Sequence, residues 1–307
     1  MAAELLVEKI KKLKKERNAV ILVHNYQIPE VQDMADFLGD SLGLSIQASK
    51  TDADVIVFCG VRFMAETAAI ISPDKKVIMP DANAGCPMAD MISVDGLREL
   101  KAEHPRAKVV CYVNTGADIK AESDICCTSA NAAKVVQSLK DTKEIIFVPD
   151  KFLGNYASTI VKDKKFILWQ GFCPFHVKIL PQHIAAAKEK HPEAKVMVHP
   201  ECRPETIAMA DEVLSTSGMV NFAKRSEAKE FIIGTEPGII YRLKKENPKK
   251  KFYPATEQAI CPNMKLTNLE KVLWSLEELK TEITVPKQIA DRARSAIEKM
   301  MAIGRQD

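Results

Sequence analysis

The chain has few aromatic residues, little net charge and no long apolar segment. Phe, Trp and Tyr make up 6% of its 307 residues, and 44 basic residues face 41 acidic ones, a formal net charge of +3. Nucleic-acid-binding surfaces usually combine a concentrated basic stripe with aromatic stacking partners, so no nucleic-acid partner is expected. No apolar run approaches the length of a membrane-spanning helix, so no membrane partner is expected either.

The N-terminal sequence also lacks the apolar core of a signal peptide. Residues 1–12 instead predict an amphipathic helix. Eight cysteines in a chain without an export signal indicate a reducing compartment, where thiols serve metals or chemistry more often than disulfides. We therefore expect a cytoplasmic protein.

Three Cys-Pro pairs reveal an internal repeat. They begin at Cys86, Cys173 and Cys261, 87 and then 88 residues apart, and each follows a pair of lysines and a strand-like run. A second block aligns without gaps at residues 24–41, 112–129 and 199–216. Independent matches at one period indicate triplication. The period is too long for a solenoid unit, which predicts three domains: 1–107 with an N-terminal helix, 108–194, and 195–307 with a C-terminal helix.

Short apolar runs alternate with helical stretches inside each repeat. This alternation is typical of a parallel sheet that helices cover on both faces. The sequence therefore predicts an α/β protein of three pseudo-threefold-related, doubly wound domains, each with a four-stranded parallel sheet, around a central active site. The segment after Val285 is expected to form a helix that packs on the first repeat.

Polar residues recur where the predicted strands end, and functional groups of such sheets gather at that edge. The recurring residues are His24, Tyr112 and His199 after the first strand of each repeat, and Ser41, Ser129 and Thr216 after the second. The hydroxyl residues could serve as helix N-caps, as anion ligands at a helix N-terminus, or as both. Glu201 and Tyr26 are candidates for proton transfer, although either could be an ordinary turn residue.

Cysteines from three repeats can meet only on a common axis, where they would leave one metal position open. Structural zinc sites usually take two ligands from one short loop, and no such pair exists among the three. A 4Fe–4S cluster with three cysteine ligands would leave one iron free as a Lewis acid. A zinc-dependent hydrolase or lyase remains an alternative. So does a non-catalytic iron–sulfur carrier with a fourth ligand such as Cys202 or His176.

The remaining cysteines lie outside the repeat. Cys59 and Cys111 fall in apolar strand-like runs and are expected to be small buried residues. No role is assigned to Cys126, Cys127 or Cys202.

Several motifs together resemble those of the quinolinate synthases over essentially the whole chain. They are His24-Asn-Tyr-Gln, Gly39-Asp-Ser41, Cys86-Pro-Met, Tyr112-Val-Asn114, Cys127-Thr-Ser-Ala-Asn131, Cys173-Pro, His199-Pro-Glu-Cys and Cys261-Pro-Asn-Met. The resemblance implies one 4Fe–4S cluster held by Cys86, Cys173 and Cys261. Together with the residue analysis, it leads to the hypothesis that Glu201 and Tyr26 are the catalytic residues that transfer protons. The implied substrate-binding residues are His24, Ser41, Tyr112, Val113, Asn114, Ser129, His199, Pro200, Glu201 and Thr216.

The resemblance also implies a reaction. A quinolinate synthase is a transferase that condenses iminoaspartate (iminosuccinate) with dihydroxyacetone phosphate, which yields quinolinate, phosphate and water for NAD biosynthesis. Transient contact with the enzyme that supplies iminoaspartate, L-aspartate oxidase or aspartate dehydrogenase, stays open. Some members carry a further cysteine pair near the C-terminus, but no cysteine follows Cys261 here, so that redox switch is not expected.

Overall fold

The computed structural model describes residues 2–307 and contains three units of the same α/β design. The first has β1 Ala19–His24, α2 Pro29–Gln32, β2 Phe37–Gly39, α3 Ser41–Lys50, β3 Val55–Cys59, α4 Arg62–Ile71, β4 Lys76–Ile78 and α5 Val94–Glu103. The second has β5 Lys108–Tyr112, α6 Ala117–Ala121, β6 Ile125–Cys127, α7 Ala132–Ser138, β7 Glu144–Val148, α8 Lys151–Ile160, β8 Lys165–Leu168 and α9 Pro181–Lys190. The third has β9 Lys195–Val198, α10 Pro204–Ile207, β10 Glu212–Val213, α11 Thr216–Arg225, β11 Glu230–Gly234, α12 Ile239–Glu246, β12 Lys251–Pro254 and α13 Leu269–Glu278. Two further helices flank these units, α1 Ala2–Glu16 and α14 Lys287–Ile303.

All three sheets have the same strand order. The orders are β2-β1-β3-β4, β6-β5-β7-β8 and β10-β9-β11-β12, with every neighbouring pair parallel. The prediction of three doubly wound domains with four-stranded parallel sheets is confirmed. The chain changes direction between the first and third strands of each sheet, and such switch points place ligands beyond the strand ends.

One repeated hydrogen bond fixes the start of each second strand. The aspartate before that strand accepts the backbone N–H of the first strand, in the pairs Asp36–Ile21, Asp124–Val109 and Asp211–Val196, at 2.8, 2.8 and 2.7 Å. Each second strand begins one residue beyond its aspartate.

The last helix of each unit packs on the next unit. Helix α5 contacts α6, α9 contacts α10 and β11, and α13 contacts β3 of the first unit. The three units therefore close into a ring, and the N-terminal helix α1 covers α13 and β1 from outside. Met1 of the predicted N-terminal helix lies outside the described residues. None of the helices that the structure describes is long and apolar enough to cross a bilayer.

The C-terminal helix α14 packs mainly on α6 and β6 of the second unit, with a smaller contact on α4 of the first. The predicted contact with the first repeat is therefore present, but it is smaller than the contact with the second. The buried face of α14 carries the small residues Ala290, Ala293 and Ala296, which allow a close approach to α6.

Glu122 joins three of these elements. Its carboxylate accepts from Arg98 of α5 at 2.6 Å, from Lys101 of α5 at 3.3 Å and from Arg292 of α14 at 2.9 Å, and its side chain is 8% exposed. The hydrogen bond from Arg98, ahead of those from Arg292 and Lys101, lowers the pKa of Glu122 to about 2.

Glu122→Gln should lower the free energy of unfolding by about 1 kcal/mol at pH 7, after allowance for solvent screening. Because the pKa of Glu122 is depressed in the folded state, its contribution is complete above the ordinary glutamate pKa and is lost as pH falls toward 2. Urea unfolding of wild type and variant between pH 7 and pH 2.5 should show the difference shrinking. Glu282→Gln is the control, because Glu282 is half exposed and pairs with Lys76 at 3.2 Å. A difference that stays constant with pH would contradict this account.

Candidate active site and metal centre

A cavity lies where the carboxyl ends of the three sheets meet, with about 740 Å³ of space including its mouth. Twelve of the residues predicted from the sequence line it: His24, Tyr26, Ser41, Cys86, Tyr112, Asn114, Ser129, Cys173, His199, Glu201, Thr216 and Cys261. The structure thus brings together residues that are up to 237 positions apart in the sequence, from His24 to Cys261 (261 − 24). Val113 and Pro200 do not line this cavity; both are buried directly beside residues that do.

The hydroxyl residues are not the helix caps. Asp40 caps α3 by accepting from Gly43 N at 2.9 Å, and Ser215 caps α11 by accepting from Gly218 N at 3.1 Å. Ser41 and Thr216 are the first helical residues, one position further on, and α7 begins after Asn131, two positions beyond Ser129. All three residues line the cavity, and Thr216 and Ser129 bond to Asn25 and His199 of neighbouring units, which removes capping as their sole role.

The backbone fixes the tautomers of the two symmetry-related histidines. The Nδ1 atom of His24 accepts from Tyr26 N at 3.2 Å, and that of His199 accepts from Glu201 N at 3.3 Å. The proton of each neutral ring therefore resides on Nε2, and in His199 this atom lies 3.1 Å from Ser129 Oγ. Burial lowers the pKa of His24 to about 4 and that of His199 to about 3. Both rings are neutral hydrogen-bond donors at pH 7, not cations.

Glu201 is a buried carboxylate with two strong donors. Tyr112 donates its hydroxyl to Oε1 at 2.5 Å, and His176 Nδ1 lies 2.8 Å from Oε2. Burial alone would raise the pKa of Glu201, but the nearby His176 and His199 and the hydrogen bonds from His176 and Tyr112 lower it below its usual range. Glu201 is 3% exposed and ionised at neutral pH.

The hydrogen bonds continue from His176 to Tyr26. Thr235 Oγ1 lies 2.8 Å from His176 Nε2 and 2.5 Å from the Tyr26 hydroxyl. Burial, followed by the charge of Glu201, raises the pKa of Tyr26 well above its usual value, so its hydroxyl keeps the proton. A continuous chain of hydrogen bonds therefore runs from Tyr26 through Thr235 and His176 to Glu201.

The three repeated cysteines have the same local geometry. A 3₁₀ turn follows closely after each, and backbone N–H groups two and three residues further on lower the pKa of each thiol against the larger effect of burial: Met88 and Ala89 for Cys86, Phe175 and His176 for Cys173, Asn263 and Met264 for Cys261. Backbone donors to sulfur are characteristic of iron–sulfur sites. Burial raises the pKa of all three thiols, that of Cys86 to about 12, so metal binding would have to displace their protons. Three sulfurs in one cavity with matched amide donors fit a cluster bound by three cysteines.

One of these sulfurs also belongs to a mixed set of donors. Ligand atoms of Cys173, His176 and Glu201 all lie within 4.8 Å of one another. Cys202 does not join it, since its thiol donates to the Gly234 carbonyl at 3.5 Å and does not line the cavity. Cys59 and Cys111 are fully buried in strands, as predicted.

Sequence reasoning missed Thr235 and named His176 only as a possible fourth ligand. His176 is the third residue after Cys173, where the other repeats have Ala89 and Met264. This break in the repeat pattern was a signal that could have identified it. Thr235 has no comparable signal, because its role depends on the side chains that the fold brings to it.

Comparisons with known proteins identify the family of this chain. Residues 8–302 match the family described as quinolinate synthetase A protein. A quinolinate synthase of Dehalococcoides mccartyi (strain CBDB1) is 57% identical over 303 residues, which cover 99% of this chain and 100% of the relative. Those of Methanosarcina barkeri (strain Fusaro) and Geobacter sp. (strain M21) are 57% and 55% identical over 298 and 305 residues, which cover 97% and 99% of this chain and 97% and 100% of the relatives.

The chain belongs to the quinolinate synthetase A family. The resemblance that the motifs predicted is therefore confirmed, and quinolinate synthesis in NAD biosynthesis is the function at the level of the family. The cavity where the three sheets meet is the candidate active site of this chain.

Thr235→Val should reduce the free energy of unfolding by about 1–3 kcal/mol, because it leaves the buried Tyr26 hydroxyl and His176 Nε2 with only their long mutual contact of 3.4 Å. Thr67→Val is the matched control. Thr67 is also buried, but its hydroxyl donates to the Phe63 carbonyl within α4 at 2.8 Å, so a smaller loss is expected there. Denaturant unfolding of both variants measures the difference, and equal losses would argue against the hydrogen-bond chain.

Proposed function

We propose that this chain is a transferase that condenses iminoaspartate with dihydroxyacetone phosphate and releases quinolinate, inorganic phosphate and water. The observation that carries the proposal is the convergence in one cavity of three cysteines, three helix-start hydroxyls, two neutral histidines and one ionised glutamate. A small polyanion would find donors on several sides of such a cavity.

Cys86, Cys173 and Cys261 would hold one 4Fe–4S cluster. Bound by three protein ligands, the cluster would supply a Lewis acid at its fourth iron. His176 and Glu201 are engaged with each other at 2.8 Å, so we do not assign either as a fourth protein ligand.

Ser41, Ser129 and Thr216 would bind the carboxylates of iminoaspartate at the starts of their helices, where backbone dipoles favour anions. The Nε2–H groups of His24 and His199 would orient these carboxylates as neutral donors.

Asn114 offers an acceptor in the same cavity. Its Oδ1 atom is buried and has no hydrogen-bond partner among the described residues. An N–H group of the substrate would satisfy this atom, which otherwise carries the full cost of its desolvation. Val113 and Pro200 would then act through the backbone that positions Asn114 and Glu201.

Glu201 would accept a proton from the substrate, since it is ionised and lies against the cavity. Its low pKa makes it a weak base, and the hydrogen bonds from Tyr112 and His176 would stabilise it before and after the transfer. Tyr26 would donate a proton, and its hydrogen bond with Thr235 connects it to Glu201 through His176. These groups would hold the substrates in the orientation that the condensation requires.

The proposal includes a cytoplasmic enzyme with small-molecule substrates. Because iminoaspartate hydrolyses readily, the proposal includes transient contact with the enzyme that supplies it, L-aspartate oxidase or aspartate dehydrogenase.

Anaerobically purified protein supplied with oxaloacetate, ammonia and dihydroxyacetone phosphate should form quinolinate, detected by chromatography. No quinolinate should form without dihydroxyacetone phosphate, and product absent from the complete mixture would overturn the proposal.

Replacing any one of Cys86, Cys173 or Cys261 by Ala should reduce bound iron and sulfide to below about a tenth of wild type, because two cysteines from different units cannot hold the cluster. Iron and sulfide analysis with the visible absorption spectrum provides the measurement. Cys59→Ala is the control, since Cys59 lies in β3 away from the cavity, and its iron content should stay near wild type. Colourless protein containing zinc would favour the mixed set Cys173, His176 and Glu201 instead.

Glu201→Gln should keep the iron content and reduce kcat on the order of 10²- to 10⁴-fold, the usual contribution of a general base. Glu66→Gln is a matched control, because Glu66 pairs with Arg62 at 3.0 Å outside the cavity. Steady-state turnover of both variants decides the point. Unchanged kcat in Glu201→Gln with full iron content would remove Glu201 from proton transfer.

A further inference from the structure

The last residues of the chain cross the three helix starts that face the cavity. Helix α14 ends at Ile303, and Gly304 has a φ of +68°, in the left-handed region that favours glycine, so the chain turns away from the helix there. Residues 304–307, called the C-terminal strap below, then contact all three units.

Arg305 connects the first and third units. Its Nη1 atom donates to Asp40 Oδ2 at 2.8 Å, and its Nη2 atom donates to Ser215 Oγ and to Asp307 Oδ1, both at 2.8 Å. Asp40 and Ser215 are the N-caps of α3 and α11. One guanidinium group therefore ties together two of the three helix starts.

Asp307 binds the C-terminal strap to the third unit. Its Oδ2 atom accepts from Ser215 N at 2.8 Å. The space it occupies exists because residue 218 is glycine, since a Cβ atom there would lie 2.3 Å from Asp307 Oδ2. The sequence of α11 is thus adapted to the carboxylate at its N-terminus, a position that favours an anion.

The backbone of the strap contacts the second unit. Gln306 N donates to Ala130 O at 2.8 Å, Gln306 Oε1 accepts from Lys134 N at 3.0 Å, and Gly304 O accepts from Asn131 Nδ2 at 3.1 Å. Asn131 is the N-cap of α7. The start of the third helix is therefore held by the same four residues.

Arg305 also balances a charge at the cavity. Asp40 lines the cavity with one face and contacts Arg305 with the other. Without Arg305, the carboxylate of Asp40 would repel an anionic substrate at short range. No Lys or Arg is among the described residues that line the cavity, and the nearby Lys265 is already paired with Glu236 at 2.9 Å.

We propose that Arg305 is a positioning residue for the substrate: it neutralises Asp40 and, with the rest of the C-terminal strap, sets the spacing of Ser41, Ser129 and Thr216. This inference rests on the proposed function, in which these hydroxyls bind the substrate's carboxylates. It adds a residue outside the cavity to the determinants of anion affinity.

The test compares Arg305→Met, Asp40→Asn and the double variant. Arg305→Met should raise the KM for iminoaspartate and the Kd for quinolinate about tenfold, while iron content stays at wild type and kcat falls less than KM rises. Asparagine caps a helix as well as aspartate does, so Asp40→Asn removes the uncompensated charge but keeps the cap of α3. The double variant should therefore recover the part of the affinity that the uncompensated charge of Asp40 had cost, while the part that depends on the link between the helix starts stays lost.

Quinolinate affinity is measured by calorimetry on the anaerobic holoenzyme at low ionic strength, together with KM, kcat and the melting temperature. Lys299→Met is the control on the same helix, because Lys299 contacts Asp124 O at 3.0 Å away from the strap, and it should leave KM and Kd unchanged. A lower melting temperature for Arg305→Met with unchanged KM and Kd would overturn the inference, as would a double variant without recovery. Wild-type protein that neither binds nor forms quinolinate would instead refute the proposed function.

Discussion

The polar groups at the centre of this molecule are buried, and several of them find a hydrogen-bond partner in another unit. Asn25 donates to Thr216 at 2.8 Å, Tyr112 donates to Glu201 at 2.5 Å, and His199 lies 3.1 Å from Ser129. A buried polar group without a partner costs about 1–3 kcal/mol, so separating the units would expose each group to that cost or to water. The same hydrogen bonds that join the units therefore build the cavity. Stability and the arrangement of the site cannot be varied independently here.

Much of the fold can be predicted from the sequence because each repeat shows the same short-range patterns of apolar and polar residues. Continuous apolar runs such as Val55–Cys59 are buried on both faces in a parallel sheet, and the aspartates at positions 36, 124 and 211 recur because each makes the same backbone hydrogen bond. The unit on which α14 packs cannot be predicted from such local patterns. The alanines on its buried face indicate a close neighbour but do not specify which unit provides it.

The site residues that recur in the repeats can be predicted from the sequence, and those that occur in one unit alone cannot. Pairs and triplets of equivalent residues identified the cysteines, the histidines and the hydroxyls, all of which line the cavity. His176 and Thr235 have no equivalents in the other units, and they carry the hydrogen bonds between Tyr26 and Glu201. A threefold arrangement alone would present identical groups in three directions. The residues that break it make the cavity chemically asymmetric.

The absence of Lys and Arg from the cavity wall determines how an anion can be recognised there. Neutral imidazole N–H groups, hydroxyls and helix-start amides bind an anion through directed hydrogen bonds, which weaken more steeply with misalignment than the attraction between two full charges. Affinity then depends on how accurately the donors are spaced, and that spacing is set by three helices from three units. A fixed link between the helix starts therefore contributes more to anion affinity in this cavity than it would in a cavity lined with cations. The C-terminal strap, which contacts the N-caps of α3, α7 and α11, provides that link from outside the cavity, where its own charges do not compete with the substrate.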